Sequence, residues 1–194
     1  MATVCVFCGS SRAIEERYLT LARRVGEELA RRGHTLVSGG GRVAMMGEVA
    51  AAARAAGGCT VGVIPKPLVA MEIADTEADE LVVTADMAER KTVMCDRSDA
   101  FLVLPGGIGT LDELFEVWTT FALGVHNKPI VVLDVDGFFE GLFTWVRSLV
   151  PLGFVKPAAL QSVYRADTVA GAFDLIESMA ATGAPGAGEG AASR

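Results

Sequence analysis

The feature that most constrains the fold is a regular alternation of short apolar runs with helical patterns. The apolar runs cover residues 3–8, 35–38, 60–64, 81–84, 100–104, 129–134 and 161–164. The helical patterns cover 15–32, 42–57, 86–98, 109–124, 138–150 and 167–181. Apolar strands that alternate with helices are typical of a parallel sheet buried on both faces. The sequence therefore predicts a single α/β domain over residues 1–182, with a doubly wound, mostly parallel, Rossmann-like sheet.

Composition and charge narrow the classes of function. The net charge of −7 argues against a nucleic-acid partner, because nucleic acid binds a basic face. No apolar run approaches the roughly 20 residues of a membrane-spanning helix, and Met1 leads into a strand-like run without the basic region of a signal peptide. We therefore expect a cytoplasmic protein without a membrane or nucleic-acid partner. Residues 183–194 contain few bulky apolar side chains, which predicts a disordered tail.

The cysteines and histidines do not form a metal or redox motif. Cys5 and Cys8 have the C-x-x-C spacing of such motifs. They lie on one predicted strand, however, where side chains three residues apart point to opposite faces. We expect buried structural thiols. His34 and His126 lie in separate loop-like contexts, so we predict no metal site.

The segment 101–113 joins an apolar strand to a glycine-rich turn and a helix start. It reads Phe-Leu-Val-Leu-Pro-Gly-Gly-Ile-Gly-Thr-Leu-Asp-Glu, without the pattern of a Walker A loop or a G-x-G-x-x-G fingerprint. The glycines allow a ligand to approach the backbone closely. The first N–H groups of a helix are unpaired and lie at the positive end of its dipole, so a phosphate binds there without a basic side chain. Residues 106–110 are therefore a predicted phosphate site.

The same segment places Glu113 in the predicted first turn of the helix, and two interpretations of this carboxylate are open. The spacing Thr110-x-x-Glu113 matches a capping box, in which the glutamate only satisfies a backbone N–H group. A carboxylate beside an anion-binding loop is also a candidate catalytic group. The loop alone does not decide between them.

A second glycine-rich turn and an early serine are further candidates for ligand contacts. The turn at 38–47 includes Gly40, which could line a phosphate or ribose pocket or could only allow a tight turn with close backbone contact. Ser10 follows the first strand and could cap the next helix or donate to a ligand.

The helix predicted from residue 86 contains an unusual pair of cations. Asp86 is the predicted N-cap, and Arg90, Met94 and Arg97 share one helical face. Arg90 and Lys91 lie near the helix start, where the dipole disfavours positive charge. The cations either bind a ligand or belong to a solvated charged face.

Together these segments resemble the Lonely Guy (LOG) family of cytokinin riboside 5′-monophosphate phosphoribohydrolases, over about residues 3–180. The matching motifs are 4–11, Gly39-Gly-Gly41 with Met46-Gly47, 61–66, Glu89-Arg-Lys91, 98–101, 126–129 and 134–138. The most specific is 105–113, which matches P-G-G-x-G-T-x-x-E. Proteins of this kind are often labelled lysine decarboxylases, but the chain has no pyridoxal-phosphate lysine context.

The resemblance implies hydrolysis of the N-glycosidic bond of an N6-substituted AMP to free base and ribose 5-phosphate. It implies no metal or redox cofactor, and a homodimer with the active site near the interface. A broader purine 5′-mononucleotide nucleosidase and a non-catalytic nucleotide carrier on the same fold remain alternatives.

The resemblance also implies roles for individual residues. It makes Arg90 and Glu113 catalytic. The implied substrate contacts are Glu72, Lys91, Gly106, Gly107, Ile108, Gly109, Thr110, Asp112 and Thr119, and Ser10, Gly40, Met94 and Arg97 are further candidates. The chain departs from the family pattern at Ala88, where a histidine is frequent, and at Ala44, within the family's G-L-M-G motif. These departures bear on base recognition and on packing, and they leave Arg90 and Glu113 in place.

Overall fold

Seven short strands form one parallel sheet in the computed structural model, which describes residues 1–71 and 73–182. The strands are β1 (Thr3–Phe7), β2 (Thr35–Ser38), β3 (Thr60–Pro65), β4 (Glu80–Thr84), β5 (Ala100–Val103), β6 (Ile130–Leu133) and β7 (Val163–Ala166). Their order across the sheet is β4-β3-β2-β1-β5-β6-β7, and every neighbouring pair is parallel. The predicted doubly wound α/β fold is confirmed. The predicted tail at 183–194 lies outside the described residues.

Eight α-helices lie between the strands or after β7 in the described ranges. They are α1 (Glu16–Arg31), α2 (Ala44–Ala55), α3 (Lys66–Val69), α4 (Met87–Asp96), α5 (Ile108–Ala122), α6 (Glu140–Ser148), α7 (Pro157–Leu160) and α8 (Val169–Thr182). The short helices α3 and α7 were not predicted, because four residues are too few to show a helical period. Each has a proline in its first turn, where the missing N–H group costs nothing.

The sheet separates two apolar layers. Helices α1, α2 and α8 pack on one face, and α4, α5 and α6 pack on the other. Cys8 belongs to the first layer and Cys5 to the second, so the predicted separation of the two thiols is confirmed. Burial raises the pKa of both thiols, which keeps them protonated. None of the helices in the described ranges is long and apolar enough to span a membrane.

The chain reverses its direction of winding between β1 and β5. It passes from β1 outward to β4 and then returns to the centre, so that β5 pairs with β1 on the opposite side from β2. The segments that follow β1 and β5 meet through a hydrogen bond of 3.1 Å from the Gly9 N–H to the Pro105 carbonyl. Parallel α/β sheets bind their ligands at such a switch point, beyond the carboxyl ends of the strands.

Candidate active site

A pocket of about 590 Å³ opens at this switch point. Ser10 and the predicted phosphate loop line one side, and the start of α2 together with Leu68 and Ile73 lines the other. Arg90 and Glu113 lie between the two sides. The volume is typical of a pocket for a mononucleotide-sized ligand.

The glycine loop presents the first turn of α5 to this pocket. The helix starts at Ile108, and Gly107 is its N-cap without a side-chain hydrogen bond. A Cβ atom on Gly107 or Gly109 would meet open space, whereas a Cβ on Gly106 would lie 2.1 Å from Oγ1 of Thr110. Gly106 is therefore required so that the buried threonine can pack against the backbone of the turn. The unpaired N–H groups of the first turn face a pocket that also includes the Thr110 side chain.

The capping-box interpretation of Glu113 is wrong. Because α5 starts at Ile108 and not at a threonine cap, Thr110 lies inside the first turn and Glu113 lies in the second. The Glu113 carboxylate therefore cannot reach the backbone N–H group of a cap residue. It points instead to the guanidinium of Arg90, with Nη1 and Oε1 separated by 3.1 Å.

The interpretation of Arg90 as part of a solvated charged face is also wrong. The residue is only 6% exposed, although Asp86 caps its helix as predicted. Its Nε donates to the Val63 carbonyl at 3.0 Å, and its Nη2 donates to the Gly39 carbonyl at 3.2 Å. Arg90 thus lies across the carboxyl ends of β2 and β3, and its remaining nitrogen is directed at Glu113. A buried cation with these three partners is rigidly oriented.

The environment of Glu113 brings the pKa of its carboxyl group close to neutral pH. Burial raises the pKa of Glu113 to about 7, the positive charge of Arg90 opposes this shift, and the charge of Asp112 adds to it. Near pH 7 the carboxyl group is therefore present in both protonation states. A carboxyl group of this kind can either accept or donate a proton during a reaction.

Several other predicted site residues, all within the described ranges, lie outside this pocket. Lys91 pairs with Asp112 at 3.1 Å and with Glu116, and so connects α4 to α5. Thr119 is exposed on α5. Met94 lies on α4 and belongs to the second apolar layer. Arg97 is exposed and pairs with Glu80.

Gly40 and Glu72 are the other two predicted site residues. Gly40 is buried with a φ of +67°, next to the backbone of Val63, which supports its interpretation as a turn residue with close backbone contact. Glu72 lies outside the described residues. Of the predicted residues, the structure brings together Ser10, Gly106, Gly107, Ile108, Gly109, Thr110, Arg90 and Glu113 around one pocket.

Several apolar pocket residues were not predicted. Tyr18 from α1 and Phe138 after β6 meet edge to face with ring centroids 5.8 Å apart, and Met46 and Met87 line the same pocket. These residues come from four distant segments, and each one fits a normal apolar position in the sequence. Only the fold brings them together, as a surface suited to the flat apolar face of a base.

The chain is similar to proteins of one known family. The family model described as "Possible lysine decarboxylase" matches residues 46–176. A cytokinin riboside 5′-monophosphate phosphoribohydrolase of Mycobacterium tuberculosis is 56% identical over 86% of this chain and 89% of the relative. A protein of the same name from Arabidopsis thaliana is 42% identical over 85% of this chain and 77% of the relative.

Among solved structures, the molybdenum cofactor carrier protein of Chlamydomonas reinhardtii has a similar fold. The TM-score is 0.71 with 27% identity, and the match covers 92% of this chain and 98% of the carrier. The molybdenum cofactor binding protein of Rippkaea orientalis matches with a TM-score of 0.69 at 23% identity, which shows likeness of fold alone.

Proposed function

Because this chain belongs to the Lonely Guy family of cytokinin riboside 5′-monophosphate phosphoribohydrolases, we propose that it hydrolyses the N-glycosidic bond of N6-substituted adenosine 5′-monophosphates. The products are the free base and ribose 5-phosphate. The observation that supports this function most strongly is the buried Arg90–Glu113 pair, which lies in one pocket with the glycine loop at the start of α5. Water is the only co-reactant that the reaction needs.

The glycine loop anchors the 5′-phosphate of the substrate. Its helix N–H groups and the hydroxyl of Thr110 supply donors without a basic side chain. Binding energy from this non-reacting group holds the ribose in place over Glu113 and supports the reaction at C1′.

Glu113 acts on the sugar. Cleavage of the bond between C1′ and N9 develops positive charge on the ribose, as in glycoside hydrolysis. An ionised Glu113 stabilises this charge and accepts a proton from the attacking water, whose oxygen forms the new bond to C1′. The purine leaves with the electron pair of the broken bond and takes up at a ring nitrogen the proton that Glu113 accepted from water, passed on through solvent, which returns Glu113 to its ionised form.

Arg90 orients the Glu113 carboxylate. The sequence leaves open whether this arginine neutralises the departing base or positions the glutamate. Two of its nitrogens donate to backbone carbonyls and the third donates to Glu113, which favours the positioning role. Its charge also opposes the rise in the pKa of Glu113 and so preserves an ionised fraction.

Lysine decarboxylase chemistry fits the site poorly. No lysine is among the described residues that line the pocket. The carboxylate of Glu116 raises the pKa of Lys91, whereas a lysine that forms a Schiff base requires a lowered one.

The functional unit that we propose is a homodimer. Large apolar side chains are exposed on α6 and on the loops that follow α5 and α6, namely Leu123, Val125, Trp145, Leu152 and Phe154. Asp112 and Thr119 are exposed on α5, and Lys91 is partly buried against the carboxylates of α5. None of the three lines the pocket, and a second copy could use them. Light scattering of the purified protein tests this state, and a monomer at micromolar concentration would contradict it. The cytoplasmic location remains a prediction from the sequence.

One assay separates the proposed function from its alternatives. The protein is incubated with N6-isopentenyladenosine 5′-monophosphate and, separately, with AMP, and free base is separated by chromatography. We expect faster release of isopentenyladenine than of adenine. Equal rates would indicate a broad nucleosidase. Tight binding without release would indicate a carrier, the alternative that the structural likeness to a molybdenum cofactor carrier favours.

A further inference from the structure

Gly39 lies directly against the guanidinium of Arg90. A Cβ atom built on this glycine would be 1.7 Å from Nη2 and 3.0 Å from Cζ of the arginine. The glycine carbonyl accepts the hydrogen bond from the same Nη2 at 3.2 Å. Gly39 does not have a positive φ, so the backbone conformation at this position does not require glycine. What requires glycine is the space that the guanidinium occupies.

The turn that follows Gly39 is already bonded within the protein. The Gly40 N–H donates to the Ser38 hydroxyl at 3.4 Å, and the Arg42 N–H donates to the Ile73 carbonyl at 2.9 Å. The Gly40 carbonyl accepts from the Asp75 N–H at 2.8 Å. The first two of these bonds use N–H donors that a phosphate would need, so the turn is poorly suited to the second phosphate site that its glycines suggested.

We propose that Gly39 is a positioning residue for Arg90. The missing side chain lets the guanidinium lie against the end of β2, which directs Nη1 to the Glu113 carboxylate. The inference rests on the proposed function, because it assigns Gly39 an effect on catalysis only through Arg90 and Glu113. It concerns the first glycine of the turn alone.

The substitution Gly39→Ala should displace side-chain atoms and leave the backbone in place. The atoms that a new Cβ would meet are the end of Arg90 and Sδ of Met46, at 3.0 Å, and both belong to long side chains that can rotate away once the Cβ is present. At Gly40, in contrast, a Cβ would press on the backbone of Val63, and φ is positive. Gly39→Ala should therefore fold. Nη1 of Arg90 should no longer reach the Glu113 carboxylate, and kcat should fall by about 100-fold, the scale expected for a misplaced catalytic group.

A double-mutant cycle tests whether Gly39 acts through Arg90. The variants are Gly39→Ala, Arg90→Ala, the double variant, and Gly141→Ala as the control. Gly141 lies on α6, outside the pocket, and a Cβ there meets nothing within 4 Å. We expect Gly39→Ala to lower kcat, the double variant to match Arg90→Ala within about twofold, and the control to match wild type. The proposal would be overturned if Gly39→Ala had the kcat of wild type. It would also be overturned if Gly39→Ala lowered kcat by the same factor in the Arg90→Ala background as in wild type.

A titration of Glu113 by NMR provides a readout that does not depend on turnover. Arg90 lowers the pKa of Glu113 in the native protein, so its displacement in Gly39→Ala should raise that pKa, and Gly39→Ala should have no further effect in the Arg90→Ala background. An unchanged pKa in folded Gly39→Ala contradicts the proposal.

If Gly39→Ala does not fold, a folded double variant supports competition for one space, and an unfolded one contradicts it. Lack of base release by the wild type would instead refute the proposed function, and the titration would still test Gly39.

Discussion

Arg90 Nη1 and Glu113 Oε1 are 3.1 Å apart, and the two side chains are only 7% and 11% exposed. The pair connects α4 to α5 in the lining of the pocket, although 23 positions separate the residues in the chain. An ion pair this deeply buried is weak support for stability, because desolvation opposes the Coulomb attraction. Its position in one pocket with the glycine loop of α5 is better explained by the chemistry that we propose.

Glu113→Gln should abolish base release and leave the fold intact. The amide keeps the volume of the side chain and can still accept a hydrogen bond from Arg90, but it neither accepts a proton nor stabilises positive charge on the ribose. We expect a loss in kcat of at least about 100-fold, and a melting temperature within a few degrees of wild type below pH 5, where the Glu113 carboxyl group is neutral like the amide. Steady-state kinetics and calorimetry measure the two quantities. Full activity in this variant would remove Glu113 from the mechanism.

Arg90→Ala should impair turnover severely, and Arg90→Lys should restore little of it. A lysine carries the charge but lacks the planar set of donors that reaches Val63, Gly39 and Glu113 together. Arg147→Ala is the matched control, since Arg147 pairs with Glu140 on the outer surface of α6. Near-normal kcat in Arg90→Ala would contradict the role that we assign to the arginine.

The rate of hydrolysis should fall as the pH drops below about 7. The raised pKa of Glu113, about 7, means that the ionised form required for catalysis is lost through that range. The pH dependence of kcat measures the pKa in the enzyme–substrate complex, and that of kcat/KM measures it in the free enzyme. A profile that stays flat down to pH 5 would show that Glu113 does not ionise as described.

The same pKa predicts how stability changes with pH. A carboxyl group whose pKa is raised in the folded state, here from 4.5 to about 7, binds its proton more tightly folded than unfolded. This tighter proton binding contributes fully to the free energy of unfolding below pH 4.5. The contribution, on the order of 3 kcal/mol, is lost as the pH rises through 7. Glu113→Gln should lack this component. Urea unfolding of both proteins at pH 4, 6 and 8 measures the free energy of unfolding. If it changes with pH by the same amount in both proteins, the prediction is contradicted.

Gly106→Ala should weaken binding of the phosphate end of the substrate. The new Cβ would lie 2.1 Å from Oγ1 of Thr110, so the loop and the first turn of α5 must shift. We expect KM for the nucleotide and the inhibition constant of ribose 5-phosphate to rise together by about tenfold or more, because both molecules use the same anchor. Gly141→Ala again serves as the control. A change in kcat alone would argue against a phosphate site at this loop.

The sequence predicted the fold well because short strands and long helices leave strong local patterns. The run 35–38 is the strand observed, and 15–32 contains α1. The single-turn helices α3 and α7 left no such pattern. The glycine-rich turn before α5 was also predictable, since its glycines and the helix start are adjacent in the chain, and phosphate binding there stays a prediction.

The partners within the site were not predictable from local patterns. Arg90 and Lys91 look alike as neighbouring cations, yet Arg90 is buried under the ends of β2 and β3 and Lys91 is held by carboxylates of α5. The capping-box interpretation of Glu113 assumed that α5 begins at Thr110. The helix begins two residues earlier, at Ile108, and residue spacing alone cannot reveal that start. These differences depend on which strand ends meet, and that is a property of the whole sheet.

The most direct test of the account is the release of base by the purified protein and by Glu113→Gln. Each is incubated with N6-isopentenyladenosine 5′-monophosphate, and isopentenyladenine and ribose 5-phosphate are both quantified by chromatography over time. We predict equimolar amounts of the two products from the wild type and none above background from the variant. Absence of free base with the folded wild-type protein, or equal release by Glu113→Gln, would contradict it.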